Sequence, residues 1–242
     1  QPAPEQQAFT PENVDFEVVA QSPDWVVVNK PAGLVTHPGA GNWSGTLLNG
    51  LLFRFPELAS VARAGIVHRL DKDTSGLLVV ARNETTQTHL VRLLQARSVK
   101  RVYAALVHGN VMKKGTVNRP IGRDPHVPVK MTVERPIAPK EAITHYAPVG
   151  RGRDLAGHAV SHVRCELETG RTHQIRVHMA SIRHPLVADV LYGGRCVAGA
   201  QRQMLHAHAL SFIDPASDAS VSFEAPLPPD FKAVMEQLSW DV

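Results

Sequence analysis

The stretch Gly76-Leu-Leu-Val-Val-Ala81 constrains the fold more than any other. It is short, apolar throughout and preceded by a charged loop, Gly65 to Ser75. A continuous apolar run of that length reads as a buried strand. Glu17 to Asn29 reads as a hairpin whose second strand is Trp25-Val-Val-Val28, with a turn at Lys30-Pro-Ala-Gly33. Lys100 to His108 alternates, with Val102, Ala104 and Leu106 on one face and Arg101, Tyr103 and Ala105 on the other. Val163, Cys165 and Leu167 alternate as a further strand.

Helices are fewer. Ser44 can cap a short one through Leu47, Leu48, Leu51 and Leu52, and Asn83 can cap one carrying Leu90, Leu93 and Leu94 on one face. Thr172 can cap a helix with Ile175, Met179 and Ile182 on one side, although 173–179 also alternates as a strand would. Asp230 can cap a last helix ending near Leu238. Five prolines between 118 and 140 predict a long loop excursion with at most short strands. Short strands mixed with a few helices, in no regular βαβ order, predict an α+β fold. Residues 1–14 read as a tail or linker and 15–242 as one domain.

Several function classes lose their support. The two cysteines, Cys165 and Cys196, lie far apart without CxxC spacing, which excludes a disulfide-stapled scaffold and a cysteine-rich zinc module. No apolar run approaches the length that spans a bilayer. There is no GxGxxG, Walker A loop, HExxH, GxSxG or deaminase signature. Thirteen histidines invite a metal reading, but His206-Ala-His208 and the His173–His178 pair lack an acidic or cysteine partner at a ligand spacing, so no metal is expected.

Charge is more informative when divided along the chain. The net charge is only +4, yet residues 1–29 carry five acids and no Lys or Arg, and residues 203–242 carry six acids and one lysine. Residues 30–202 therefore hold a net +14, and residues 85–123 hold eight cations and no acid. This fits either a solvated face between acidic ends or a basic surface for phosphates.

Three clusters carry candidate chemistry. His68-Arg-Leu-Asp-Lys-Asp-Thr-Ser-Gly76 sets Asp71 and Asp73 among His68, Arg69 and Lys72, just before the buried strand. A carboxylate beside an arginine stays ionised and can act at a sugar carbon, but spacing alone favours a surface turn with ordinary ion pairs. Gly170-Arg-Thr-His-Gln-Ile-Arg-Val-His178 packs Arg171, His173, Gln174 and Arg176 at a helix start suited to phosphate oxygens, or simply forms a basic surface helix. Tyr103 stands among Lys100 and Arg101, where an aromatic can stack on a base or serve as core.

Together these clusters resemble the signatures of RluA-type pseudouridine synthases. Asn29-Lys-Pro-Ala-Gly33, His184-Pro-Leu-Val-Ala-Asp189, Leu191-Tyr-Gly-Gly194 and Leu205-His-Ala207 fit the same family in the same order, covering residues 16–235. Val35-Thr-His-Pro-Gly-Ala-Gly-Asn42 most resembles the branch that modifies large-subunit ribosomal RNA at helix 69. The resemblance implies the family's catalytic fold, a mainly antiparallel mixed sheet flanked by helices and loops. It implies an isomerase that converts uridine in RNA to pseudouridine, acting in the cytoplasm as a monomer, with no cofactor, metal or membrane. Asp71 would be the catalytic carboxylate, Arg176 its ion-pair partner, and Tyr103 the aromatic stacked on the target uracil. Leu205 would pack the pocket and Arg69 would fill the space left by the flipped base. His68, Arg171, His173, Gln174, Arg92, Lys100 and Arg101 would contact RNA.

Two departures stand out. The helix-69 branch carries an N-terminal S4-type RNA-binding domain, whereas only residues 1–14 precede the catalytic part, so that domain is expected to be absent. Ala188 occupies a position where glycine is expected. A tRNA substrate and a non-catalytic RNA-binding module are the competing readings; intact Asp71, Tyr103 and Arg176 argue against the second.

Overall fold

The computed structural model describes residues 3–242, so the first two residues of the expected 1–14 tail lie outside the described residues. The main elements are β1 (Glu17–Gln21), β2 (Trp25–Lys30), α1 (Leu47–Arg54), β3 (Ser75–Ala81), α2 (Glu84–Gln95), β4 (Lys100–His108), β5 (Gly115–Asn118), β6 (Ile121–Arg123), β7 (Met131–Thr132) and β8 (Ile137–Lys140). They continue with β9 (Ile143–Arg153), β10 (Ala159–Leu167), α3 (Gln174–Ser181), β11 (Leu205–Ile213), β12 (Ser220–Glu224), α4 (Pro229–Glu236) and β13 (Ser239–Trp240). The fold is α+β. The chain divides into two units, one formed by Gln1–Lys100 with Ala209–Ala225, the other by Arg101–His208 with Pro226–Val242.

In the first unit β2 pairs antiparallel with β1 and with β3, and Lys30 lies opposite Gly76 at the far end of the β2–β3 ladder. All seven residues of β3 are buried, as its unbroken apolar run requires. Trp25, Val27, Leu77, Val79 and Ala81 form a core with Leu90 of α2 and with Leu210 and Phe212 of β11. Helix α2 starts where the sequence places it, because the Asn83 side chain accepts from the Thr86 amide at 2.8 Å. Helix α1 starts two residues later than expected, at the cap Thr46 rather than Ser44. Thr46 suits the role because Asn49 reciprocates, accepting from the Thr46 amide at 2.9 Å. The Asn49 amide also donates to the carbonyls of Ala8 and Thr10, so part of the segment expected as a tail is tied to α1.

In the second unit β10 pairs antiparallel with β4 and β9, and β9 also takes β5 and β13. Ala104, Leu106 and Val160 pack with Phe231, Val234 and Leu238 around α4. The proline-rich stretch 118–140 forms the small sheet β7-β6-β8 with short strands, as expected. Residues 174–181 are helical, which settles the helix–strand ambiguity at 173–179. Thr172 is not the cap. His173 takes that position in the left-handed conformation (φ 56°), and Gln174 organises the helix start by accepting from the Arg171 amide and the Thr169 hydroxyl. The cap of α4 is Pro228, with Asp230 inside the first turn, where it pairs with Arg202. Ala188 is left-handed (φ 66°), the conformation that favours the glycine expected there.

Replacing Asn83 by alanine removes the α2 cap and should cost about 1 kcal/mol of stability. Urea unfolding of the two proteins checks this, and an unchanged midpoint would contradict the assigned cap.

Candidate active site

Asp71 sits half-buried on the loop that feeds β3. Three features shape this loop. Gly65 turns at φ +82°, where a Cβ would lie 1.9 Å from the Ala81 carbonyl oxygen, so no other residue fits. His68 turns back onto the strand, its Nε2 accepting from the Val79 amide at 3.0 Å. That acceptor role fixes the tautomer and gives His68 a local structural task. The Thr74 amide then closes a turn on the Asp71 carbonyl at 3.0 Å. Arg69 and Lys72, on either side of Asp71, are exposed, whereas Leu70 is buried and anchors the loop to the core.

His37 lies beside the same loop. Burial, then the charges of Arg63 and Arg69, push its imidazole from 6.5 down to about 4, so it is neutral near pH 7.

Within the second unit Tyr103, Arg176 and Leu205 are all buried. Tyr103 lies in the middle of β4 opposite Cys165 of β10, so its backbone is fixed by the ladder. Arg101, two residues earlier, is only 8% exposed. Its guanidinium lies so close to Gly170 that a Cβ there would stand 2.5 Å from Nη1. Burial lowers its pKa, opposed by the Tyr103 phenol, and Nε has no hydrogen-bond partner among the described residues. The sequence places Arg101 with the surface cations Arg92 and Lys100; only those two are exposed.

Arg176 points from α3 into a prepared setting. Its Nε and Nη2 donate to Oδ2 and Oδ1 of Asp189 at 2.9 and 3.0 Å, a two-pronged ion pair that fixes the guanidinium plane. The ring of Tyr192 lies 5.1 Å from the same guanidinium. The Tyr192 hydroxyl accepts from the Met131 amide at 2.9 Å and shares a 2.6 Å hydrogen bond with His173 Nδ1. Asp189 and Tyr192 are the site residues that sequence reasoning gave no role. Their signal was visible, since both fall inside the quoted segments His184–Asp189 and Leu191–Gly194.

Gln174 and its neighbourhood are structural in this geometry. Gln174 is buried, and its Nε2 donates to the Ile143 carbonyl and the Thr144 hydroxyl at 3.0 and 2.9 Å, leaving its amide saturated. Arg171 is half-buried and donates to the Glu141 carbonyl at 2.7 Å. Among the described residues no three His, Cys, Asp or Glu side chains gather as a metal-ligand set.

Residues 24–181 match the family model of RNA pseudouridylate synthases. The chain belongs to the RNA pseudouridylate synthase family. It is 50% identical to the ribosomal large subunit pseudouridine synthase D of Neisseria meningitidis serogroup B, over 98% of this chain and 65% of that protein. With the enzyme of that name from Pseudomonas aeruginosa it shares 46% identity, over 95% of this chain and 74% of the other. The chain thus spans just under two thirds of the length of the first of these relatives. Among solved structures, human RNA Pseudouridylate Synthase Domain Containing 1 superposes with a TM-score of 0.74 at 30% identity, covering 96% of this chain and 91% of that one.

As a pseudouridylate synthase-family chain, it can be tested at the Arg176–Asp189 pair. Asp189→Ala removes the carboxylate from a buried guanidinium and should cost about 3 kcal/mol. Denaturant unfolding checks this; a loss below about 0.5 kcal/mol, the range of ordinary surface changes, would contradict it.

Proposed function

We propose that this chain is an RNA pseudouridine synthase acting on large-subunit ribosomal RNA. The observation that carries this reading is the 50% identity, over nearly the whole chain, to a protein named for that activity. The site chemistry supports it. The reaction breaks the N1–C1′ bond of a uridine, turns the base and joins C5 to C1′. N1 ends with a proton and C5 loses one, so the product is an isomer and no oxidant or reductant is consumed.

Each step makes a demand that a named residue can meet. Asp71 is the carboxylate acting at the ribose, by attack at C1′ or by removal of the C2′ proton. Arg176 supplies the positive charge that favours the ionised carboxylate, and the Asp189 bond holds its guanidinium in one orientation. Tyr103 offers its ring to the extruded uracil. Leu205 lines the pocket, and Arg69, exposed beside Asp71, takes the place of the flipped base. Flipping costs a few kcal/mol, and phosphate contacts from exposed cations such as Arg92 and Lys100 offset it. The chain works as a cytoplasmic monomer, without metal or organic cofactor.

The test is a pseudouridine map of cellular RNA from cells with the protein, without it, and with Asp71→Asn. At least one large-subunit uridine should lose its modification in the second and third cases. A map that is unchanged by loss of the protein, or by Asp71→Asn, overturns the reading. A site in tRNA instead would overturn the ribosomal substrate while leaving the chemistry intact.

A further inference from the structure

The loop that carries Asp71 is held by more than its own turn. The Leu70 carbonyl accepts from the Thr36 hydroxyl at 2.8 Å. The Lys72 carbonyl accepts from Lys30 Nζ at 2.9 Å and from the Gly33 amide at 2.8 Å. With the Thr74 amide on the Asp71 carbonyl, three consecutive carbonyls at 70, 71 and 72 each have a donor, and two of the three are held by residues 30–36.

The holding segment is itself braced. Lys30 is fully buried, and its ammonium also donates to the carbonyls of Pro31 and Leu34 at 2.9 and 2.7 Å, so the turn wraps around one charge. Gly33 has open space where a Cβ would be but takes φ +92°, so glycine is needed there for its conformation, which aims the amide at Lys72. The carbonyls of Val35 and Thr36 accept from the first-turn amides of α1, Leu47 and Leu48, at 2.8 and 3.1 Å. A chain of hydrogen bonds therefore runs from a capped helix, through Thr36, to the residue before Asp71.

We propose that Thr36 is a positioning residue for Asp71, acting with Lys30 and Gly33 as a clamp that fixes the backbone on both sides of the carboxylate. This rests on the reading of Asp71 as the reacting group. Geometry at a reacting atom is where small displacements cost most, since a shift of about 1 Å can cost a hundredfold in rate. The clamp removes the freedom that a surface loop otherwise keeps.

A merely structural Thr36 and a positioning Thr36 differ in a measurable way. Thr36→Val keeps the side-chain size and removes only the hydroxyl, and Thr36→Ser restores it. The experiment measures kcat and KM for pseudouridine formation in a large-subunit ribosomal RNA transcript, with thermal unfolding of each protein alongside. The expected result for a folded Thr36→Val is a kcat lower by about ten- to a hundredfold with KM within about twofold, and for Thr36→Ser a return to within about threefold of the parent. An unchanged kcat in Thr36→Val overturns the clamp, as does a loss that Thr36→Ser fails to restore. Either result, alongside an active parent and an inactive Asp71→Asn, removes the clamp and leaves the proposed function standing. A folded parent that forms no pseudouridine removes the function and the clamp together.

Discussion

One buried ammonium group organises the loop on which the proposed chemistry depends. Lys30 Nζ gathers the carbonyls of Pro31, Leu34 and Lys72, two from its own turn and one from the residue after Asp71. A buried charge is costly to place in a fold unless its bonds are good, so this arrangement is stable only in one geometry of the turn. The position of Lys30 is in turn set by the β2–β3 ladder, where it faces Gly76. Sheet register, a turn and the loop that carries Asp71 are thereby linked through a single side chain.

The second unit uses the opposite device, a buried carboxylate that holds a cation. Asp189 grips Arg176 with two hydrogen bonds, and Tyr192 adds its ring and a hydrogen bond to His173. This changes how the charge of the chain is understood. The net +14 over residues 30–202 counts Lys30, Arg101 and Arg176, all of them buried. The exposed part of the positive charge includes residues such as Arg92 and Lys100.

Much of the fold was legible because its central strands are apolar runs. β2, β3 and β4 follow from Trp25-Val-Val-Val28, Gly76–Ala81 and the alternation after Lys100. β9 was not legible, since Pro148, Gly150 and Gly152 interrupt it; the register shifts where Pro148 meets Val163, an irregularity that accommodates a residue without an amide proton. Three helix starts were read one or two residues off: the cap of α1 is Thr46 rather than Ser44, that of α3 is His173 rather than Thr172, and that of α4 is Pro228 rather than Asp230. In the site, motif membership was legible and local role was not. Gln174 and Arg101 look like surface donors in a basic sequence, yet both are buried: Gln174 bonds the Arg171 amide and the Ile143 carbonyl, and the Arg101 guanidinium lies against Gly170, contacts that sequence periodicity does not report. Asp189 was visible as part of a motif but not as the partner of Arg176, a contact thirteen residues apart that only the fold creates.

The proposed reaction moves the glycosidic bond of uridine from N1 to C5. The most direct measurement uses large-subunit ribosomal RNA with tritium at C5 of uridine. The new carbon–carbon bond displaces that hydrogen, so the chain should release tritium to water in step with the pseudouridine it forms. Retention of the label after incubation with folded protein would contradict the claim.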